Sequence, residues 1–123
     1  MQHRRTKRDY PRTARLNALL QEILADALER FDDERLELVT VTSVACEADL
    51  RHAVVYVDSL GGPDEDEVLL EALGEVRPRL QGAIADQARL KRTPELWFSV
   101  DEVVRSANRI EEVLRRLHEP GGS

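Results

Sequence analysis

The side chains best suited to chemistry in this 123-residue chain are cations. Arg4, Arg5, Lys7, Arg8, Arg12 and Arg15 crowd the first fifteen residues against one acid, Asp9, a local balance of +5. Lysine and arginine bind phosphates by displacing counterions, so such a segment suits nucleic acid. Further on stand Arg77 and Arg79, then Arg89, Lys91 and Arg92. These five could form one positive surface continuous with the basic segment. They could equally be solvated helix termini, where cations near a C-terminal end are favoured anyway. The whole chain carries −6, so the part after residue 15, with 12 basic and 23 acidic groups, carries −11. The total speaks against nucleic acid, but its division into a basic arm and an acidic body does not.

No catalytic constellation accompanies the cations. His52 lies near Asp49 without a serine or cysteine in a triad context. Glu111 and Glu112 are adjacent on a helix and so point about 100° apart, a poor acid/base pair. Asp64 to Glu67 could be read as a metal or substrate site, but their position ahead of an apolar helical pattern favours helix N-terminal chemistry. There is no phosphate-cradling glycine loop and no dinucleotide fingerprint. Cys46, the single cysteine, has no internal partner for a disulfide and no close cation to activate it. One cysteine and three scattered histidines make no zinc spacing. Neither an enzyme nor a cofactor is implied.

The elements that position these groups follow from periodicity. Leu16, Leu20, Ile23, Leu24, Ala27, Leu28 and Phe31 have three-and-four spacing, which predicts a first helix from Thr13 as N-cap to Phe31. Leu38–Val44 and Ala53–Asp58 predict two strands joined by a long hairpin connection, and Gly61-Gly62-Pro63 ends the second. A helix follows, with Pro78 predicting a break within it, since proline lacks an amide hydrogen and clashes with the preceding turn. Glu95–Val100 predicts a third strand, with Pro94 at its entrance. A last helix carries Val103, Ala107, Ile110, Val113, Leu114 and Leu117 on one stripe. Alternation turns Ala53, Val55, Val57, Leu96, Phe98 and Val100 toward the helices and leaves Tyr56 and Trp97 on the opposite face. Those two aromatics could stack bases or be ordinary half-exposed strand residues.

Domain organisation follows the same division: a flexible basic arm over 1–12, one domain over 13–118 and a disordered tail over 119–123. The 41% apolar and 34% charged content suits a soluble domain. With no apolar run of membrane-spanning length and no signal segment behind the basic start, a cytoplasmic location is expected.

Four stretches in order carry a resemblance. They are Asp33-Glu34-Arg35-Leu36 leading into Val39-Thr40-Val41-Thr42; Ala48 to Val57; Arg89 to Phe98; and Asp101-Glu102 followed by Asn108-Arg109-Ile110-Glu111-Glu112. Together they resemble bacterial ribosome-binding factor A, from about Arg12 to Leu117. The resemblance implies an α+β fold of type II KH-like form: a three-stranded sheet packed on helices, a helix-kink-helix unit and an extra C-terminal helix. It implies a non-enzymatic assembly factor that binds the free small (30S) ribosomal subunit and its precursors through 16S rRNA. Such a factor assists late maturation, including formation of the rRNA 5′ end, and matters most in the cold. A monomer with no membrane association is expected.

Departures from the family pattern shift weight among the cations. Val76-Arg77-Pro78 stands where members usually carry Ala-x-Gly, and Asp33 to Glu37 lacks the usual proline and glycine. Val54 and Gln81 replace a common lysine and arginine. RNA contact is therefore expected from Arg4, Arg5, Lys7, Arg8, Arg12, Arg15, Arg77, Arg79, Arg89, Lys91 and Arg92. Arg109 is either a further contact or an ion pair with Glu111 or Glu112. The competing reading is a non-catalytic protein-interaction module whose acidic body binds a basic partner.

Overall fold

In a computed structural model, the backbone is described for residues 2–118 and the side chains for residues 13–118. The helices are α1 (Gln2–Glu29), α2 (Asp66–Ala88) and α3 (Glu102–His118); the strands are β1 (Val39–Cys46), β2 (His52–Ser59) and β3 (Glu95–Val100). Short 3₁₀ turns at Glu34–Leu36 and Pro63–Glu65 lead into β1 and α2. The sheet order is β1-β2-β3, with β1 antiparallel and β3 parallel to β2.

One face of this sheet buries the core. Val41, Val44, Ala53, Val55, Val57 and Leu96 meet Leu20, Ile23, Leu24 and Leu28 of α1 and Leu69, Ala72, Leu73, Leu80 and Ile84 of α2. Each fully buried aliphatic side chain stabilises the fold by about 1.5–3 kcal/mol, so the apolar stripes of α1 and α2 hold the two helices on the sheet. Phe98 and Val100 lie on the same face but stay half-buried, while Trp97 and Tyr56 fall on the opposite face as alternation requires.

Strict alternation fails in β1, where Val41 and Val44 are both buried although three residues apart. A bulge between Val41 and Ser43 leaves Thr42 out of the ladder and resets the register. Gln21 Nε2 lies 3.2 Å from the carbonyls of both Val41 and Thr42, giving these edge-strand acceptors a donor.

Three expectations need correction. The first helix begins at Gln2 rather than at Thr13, so the basic residues are carried on its first turns. Glutamine, arginine and lysine propagate a helix well. Pro78 does not break its helix: α2 runs unbroken from Asp66 to Ala88, because core residues on both sides of it, Leu73 and Leu80, hold the helix to the sheet. Third, the apolar stripe of α3 does not reach the core. Val103 and Leu117 are 80% and 73% exposed, and α3 is tied to the body through Asp101, just before its start, and Arg105. The tail expected over 119–123 lies outside the described residues.

Candidate nucleic-acid interface

Two loops at one end of the sheet bring four exposed cations, Arg51, Arg89, Lys91 and Arg92, together. α2 ends at Ala88, and Arg89 takes the left-handed cap position (φ 52°, ψ 43°) that usually falls to glycine. Leu90, Lys91 and Arg92 follow, and buried Pro94 fixes the entry to β3. Opposite, the β1–β2 loop turns at Leu50, also left-handed at φ 60°. Leu50 N–H donates to the Glu47 carbonyl at 2.9 Å, and Arg51 N–H donates to Asp49 Oδ1 at 3.0 Å. A backbone bond from Glu95 N–H to the Arg51 carbonyl, at 2.8 Å, joins the two loops. Between them lies a pocket of about 440 Å³ lined by Asp49, Leu50, Arg51, Leu90, Lys91 and Arg92.

The described cations divide into paired and unpaired ones. Arg30, Arg35, Arg105, Arg115 and Arg116 are held in ion pairs. Arg35 bridges Asp33 and Glu75, with Nη2 2.8 and 2.7 Å from their carboxylates, and its hydrogen bonds hold both acids below the usual carboxylate range. Arg51, Arg89, Lys91 and Arg92 are exposed and make no ion pair among the described residues. A cation without a protein partner keeps its charge available to a phosphate.

Beside the loops the open sheet face offers rings. His52 and Trp97 lie with centroids 4.8 Å apart and planes tilted by 53°. Trp97 is 48% exposed, and its Nε1 donates to Glu95 Oε1 at 3.0 Å. Tyr56, farther along β2, is half-buried.

The structure distributes the expected cations unevenly. Arg89, Lys91 and Arg92 share one loop, but Arg77 and Arg79 do not join them. Arg77 lies about 18 Å from Arg89 along the α2 axis, from the rise per residue. It packs over the Phe98 ring, and Arg79 over Phe31, each at 5.7 Å. The five therefore do not form a single surface: Arg77 and Arg79 point about 200° apart around α2 and rest on different rings, away from the Arg89–Arg92 loop. Arg15 is exposed on α1. The side chains of Arg4, Arg5, Lys7, Arg8 and Arg12 lie outside those described. Arg109 is exposed, and Glu112 is occupied by Arg115 and Arg116 at 3.0 and 3.2 Å rather than by Arg109. Arg51 was missed by sequence reasoning; its signal was its place in a tight charged turn, Asp49-Leu50-Arg51-His52, whose spatial neighbour is the Arg89–Arg92 loop.

Among the described residues no group of histidine, cysteine, aspartate or glutamate could hold a metal, and no helix is long and apolar enough to cross a membrane. A mixed sheet backed by two helices thus carries exposed cations and the half-exposed Trp97 ring at one end. The sequence profile described as ribosome-binding factor A matches residues 12–114. The chain belongs to the ribosome-binding factor A family. The factor from Rubrobacter xylanophilus is 41% identical over 107 residues, 86% of this chain and 87% of that protein. The Bifidobacterium adolescentis factor is 38% identical over 113 residues, covering 88% and 68% respectively. The crystal structure of Thermus thermophilus ribosome-binding factor A superposes with a TM-score of 0.65 at 33% identity, over 72% of this chain and 93% of that one. A homology model of the Thermus thermophilus factor, fitted into a cryo-electron microscopy map of a complex with the 30S subunit, superposes with a TM-score of 0.60. The α+β, KH-like architecture implied by the sequence resemblance is thus the architecture of the ribosome-binding factor A structures.

Proposed function

We propose that this chain binds the free 30S subunit and its precursors through 16S rRNA and assists late maturation, including processing of the rRNA 5′ end. Membership in the ribosome-binding factor A family, with a relative fitted into a 30S complex, carries this reading. The protein acts in the cytoplasm as a monomer and without catalysis, by favouring one rRNA conformation through differential affinity. Cold increases the need for it, because misfolded RNA helices escape more slowly.

Two cation groups make the contact. Arg4, Arg5, Lys7, Arg8, Arg12 and Arg15 on α1 supply phosphate attraction, and Arg51, Arg89, Lys91 and Arg92 supply the contact on the body. Arg77, Arg79 and Arg109 are outlying contacts. The acidic remainder faces solvent and limits affinity.

The test is pelleting with free small subunits over a range of salt concentrations. Deleting residues 1–12 removes five cations, and at about 0.9 counterions per phosphate contact the log–log salt slope falls by up to about 4.5. An unchanged slope rejects the arm as a phosphate contact, and an unchanged affinity as well favours the protein-interaction reading. Sedimentation with 70S particles instead of free small subunits overturns the assembly role.

A further inference from the structure

We propose that the pocket between the β1–β2 and α2–β3 loops receives one unpaired nucleotide of a single-stranded RNA segment. Leu50 and Leu90 enclose the base, and Arg51, Lys91 and Arg92 hold the phosphates. The inference rests on the RNA-binding reading above and specifies what that end of the molecule recognises.

Size and lining agree with such a ligand. The pocket's volume of about 440 Å³ lies in the usual range for small-molecule sites, and its two leucines make apolar walls beneath a cationic rim. Leu90 packs against the hydrophobic core, which gives one wall a fixed position. Asp49 argues against a bare phosphate as occupant, since a carboxylate beside it repels it. A base carries N–H donors that a carboxylate accepts. Paired RNA cannot enter, because its bases are stacked and its deep groove is closed to side chains; single-stranded bases splay out into pockets of this kind.

The backbone supports preorganisation. Leu50 and Arg89 are the only non-glycine residues at positive φ among those described, and they stand in the two loops that form the pocket. A left-handed L-residue costs about 1–2 kcal/mol, and such strain gathers at ligand clamps. The bonds from Leu50 N–H to Glu47 and from Glu95 N–H to Arg51 hold both loops in that shape without a ligand. Trp97 and His52, on the strands that leave these loops, give a neighbouring base a ring to stack on.

The full chain, labelled with nitrogen-15, is titrated with a short mixed-sequence single-stranded RNA, a blunt-ended RNA duplex and adenosine monophosphate. The single strand is expected to shift the amide signals of residues 49–51 and 90–92. Leu50→Gly keeps the loop, because glycine adopts positive φ freely, but removes a wall. It should weaken single-strand binding about tenfold or more, the effect of losing one enclosed base, and change duplex binding less than about twofold on the same scale. Lys91→Gln and Arg92→Gln should weaken both. The pocket is rejected by an unchanged single-strand affinity in Leu50→Gly, or by duplex shifting the same amides. Saturation by adenosine monophosphate at lower concentration than the strand also rejects it, in favour of a free nucleotide. Small-subunit pelleting of the wild-type chain separates the two readings: intact pelleting with an unaffected Leu50→Gly variant rejects the pocket alone, and no pelleting rejects the ribosomal reading itself.

Discussion

Arg105, in the second turn of α3, binds Asp58 at the end of β2, with Nη2 and Nε 2.9 and 3.1 Å from the same carboxylate oxygen. Its Nη1 reaches Asp66 Oδ2 at 2.6 Å, so one guanidinium ties α3 to both the sheet and the start of α2. Hydrogen bonds donated to Asp66 and Asp58 outweigh desolvation and hold the guanidinium pKa above its ordinary value. Arg105 is the one buried charged residue among those described, and Asp66 Oδ1 is buried with no partner of its own. Arg105→Ala therefore leaves a poorly solvated acid pair and is expected to cost about 3 kcal/mol, the low end for breaking a buried pair because both acids keep some solvent contact. A lower urea midpoint, with faster amide exchange along α3, would bear this out. A midpoint unchanged within error would show that α3 is held by something else.

Pro78 offers the opposite sign. It is exposed inside α2, so its ring contributes little packing while one helical hydrogen bond is missing. Pro78→Ala restores the amide donor and is expected to stabilise the chain by about 1–2 kcal/mol, after the greater freedom of the unfolded alanine chain is set against the helix gain. A thermal melt that moves down instead would mean that α2 requires the proline's local geometry.

Acid should loosen α3 through Asp101. The Thr42 hydroxyl donates to Asp101 Oδ2 at 2.5 Å and the Val104 amide to Oδ1 at 3.0 Å, and these bonds hold its pKa below the ordinary aspartate value. A depressed folded pKa means that stabilisation is complete above the unfolded value, near 4, and is lost as pH falls through the lower folded value. Thr42→Val removes the larger cause, so the Asp101 titration followed by carboxyl-carbon NMR should move upward toward pH 4. No movement would deny the Thr42 bond its role.

Cys46 should be slow to react. It is half-buried at the end of β1, and burial pushes its thiol pKa up, which lowers the thiolate fraction at neutral pH. Its backbone amide donates to Asn17 Oδ1 at 2.9 Å, which holds the end of β1 against α1. Modification by a thiol reagent at neutral pH is expected to be well below the rate of the denatured chain and to match it once urea unfolds the protein. Equal rates before and after unfolding would contradict this.

Much of this protein is determined by local sequence. Strand β3 has the bounds its alternation predicts, the α1 and α2 stripes from Leu20 to Ile84 form the core, and the ordered motifs from Arg12 to Leu117 carry the family. Periodicity and motif order are local properties and survive without a partner in view. Tertiary structure decided what depends on neighbours. The amphipathic pattern of α3 cannot reveal that its stripe points away from the core, because amphipathicity specifies a face but not what meets it. The continuity of α2 through Pro78 depends on Leu73 and Leu80 meeting the sheet. The positive groups of α2 and its following loop read as one surface in sequence, yet helix length separates Arg77 from Arg89, while a single backbone bond brings Arg51 beside Lys91 and Arg92. Charge alone named the cations, and helix spacing already pairs Arg30 with Asp26 and Arg115 and Arg116 with Glu112. Folding decided the rest: it set Arg35 against Glu75 and Arg105 against Asp58 and Asp66, and it gathered Arg51 with Lys91 and Arg92.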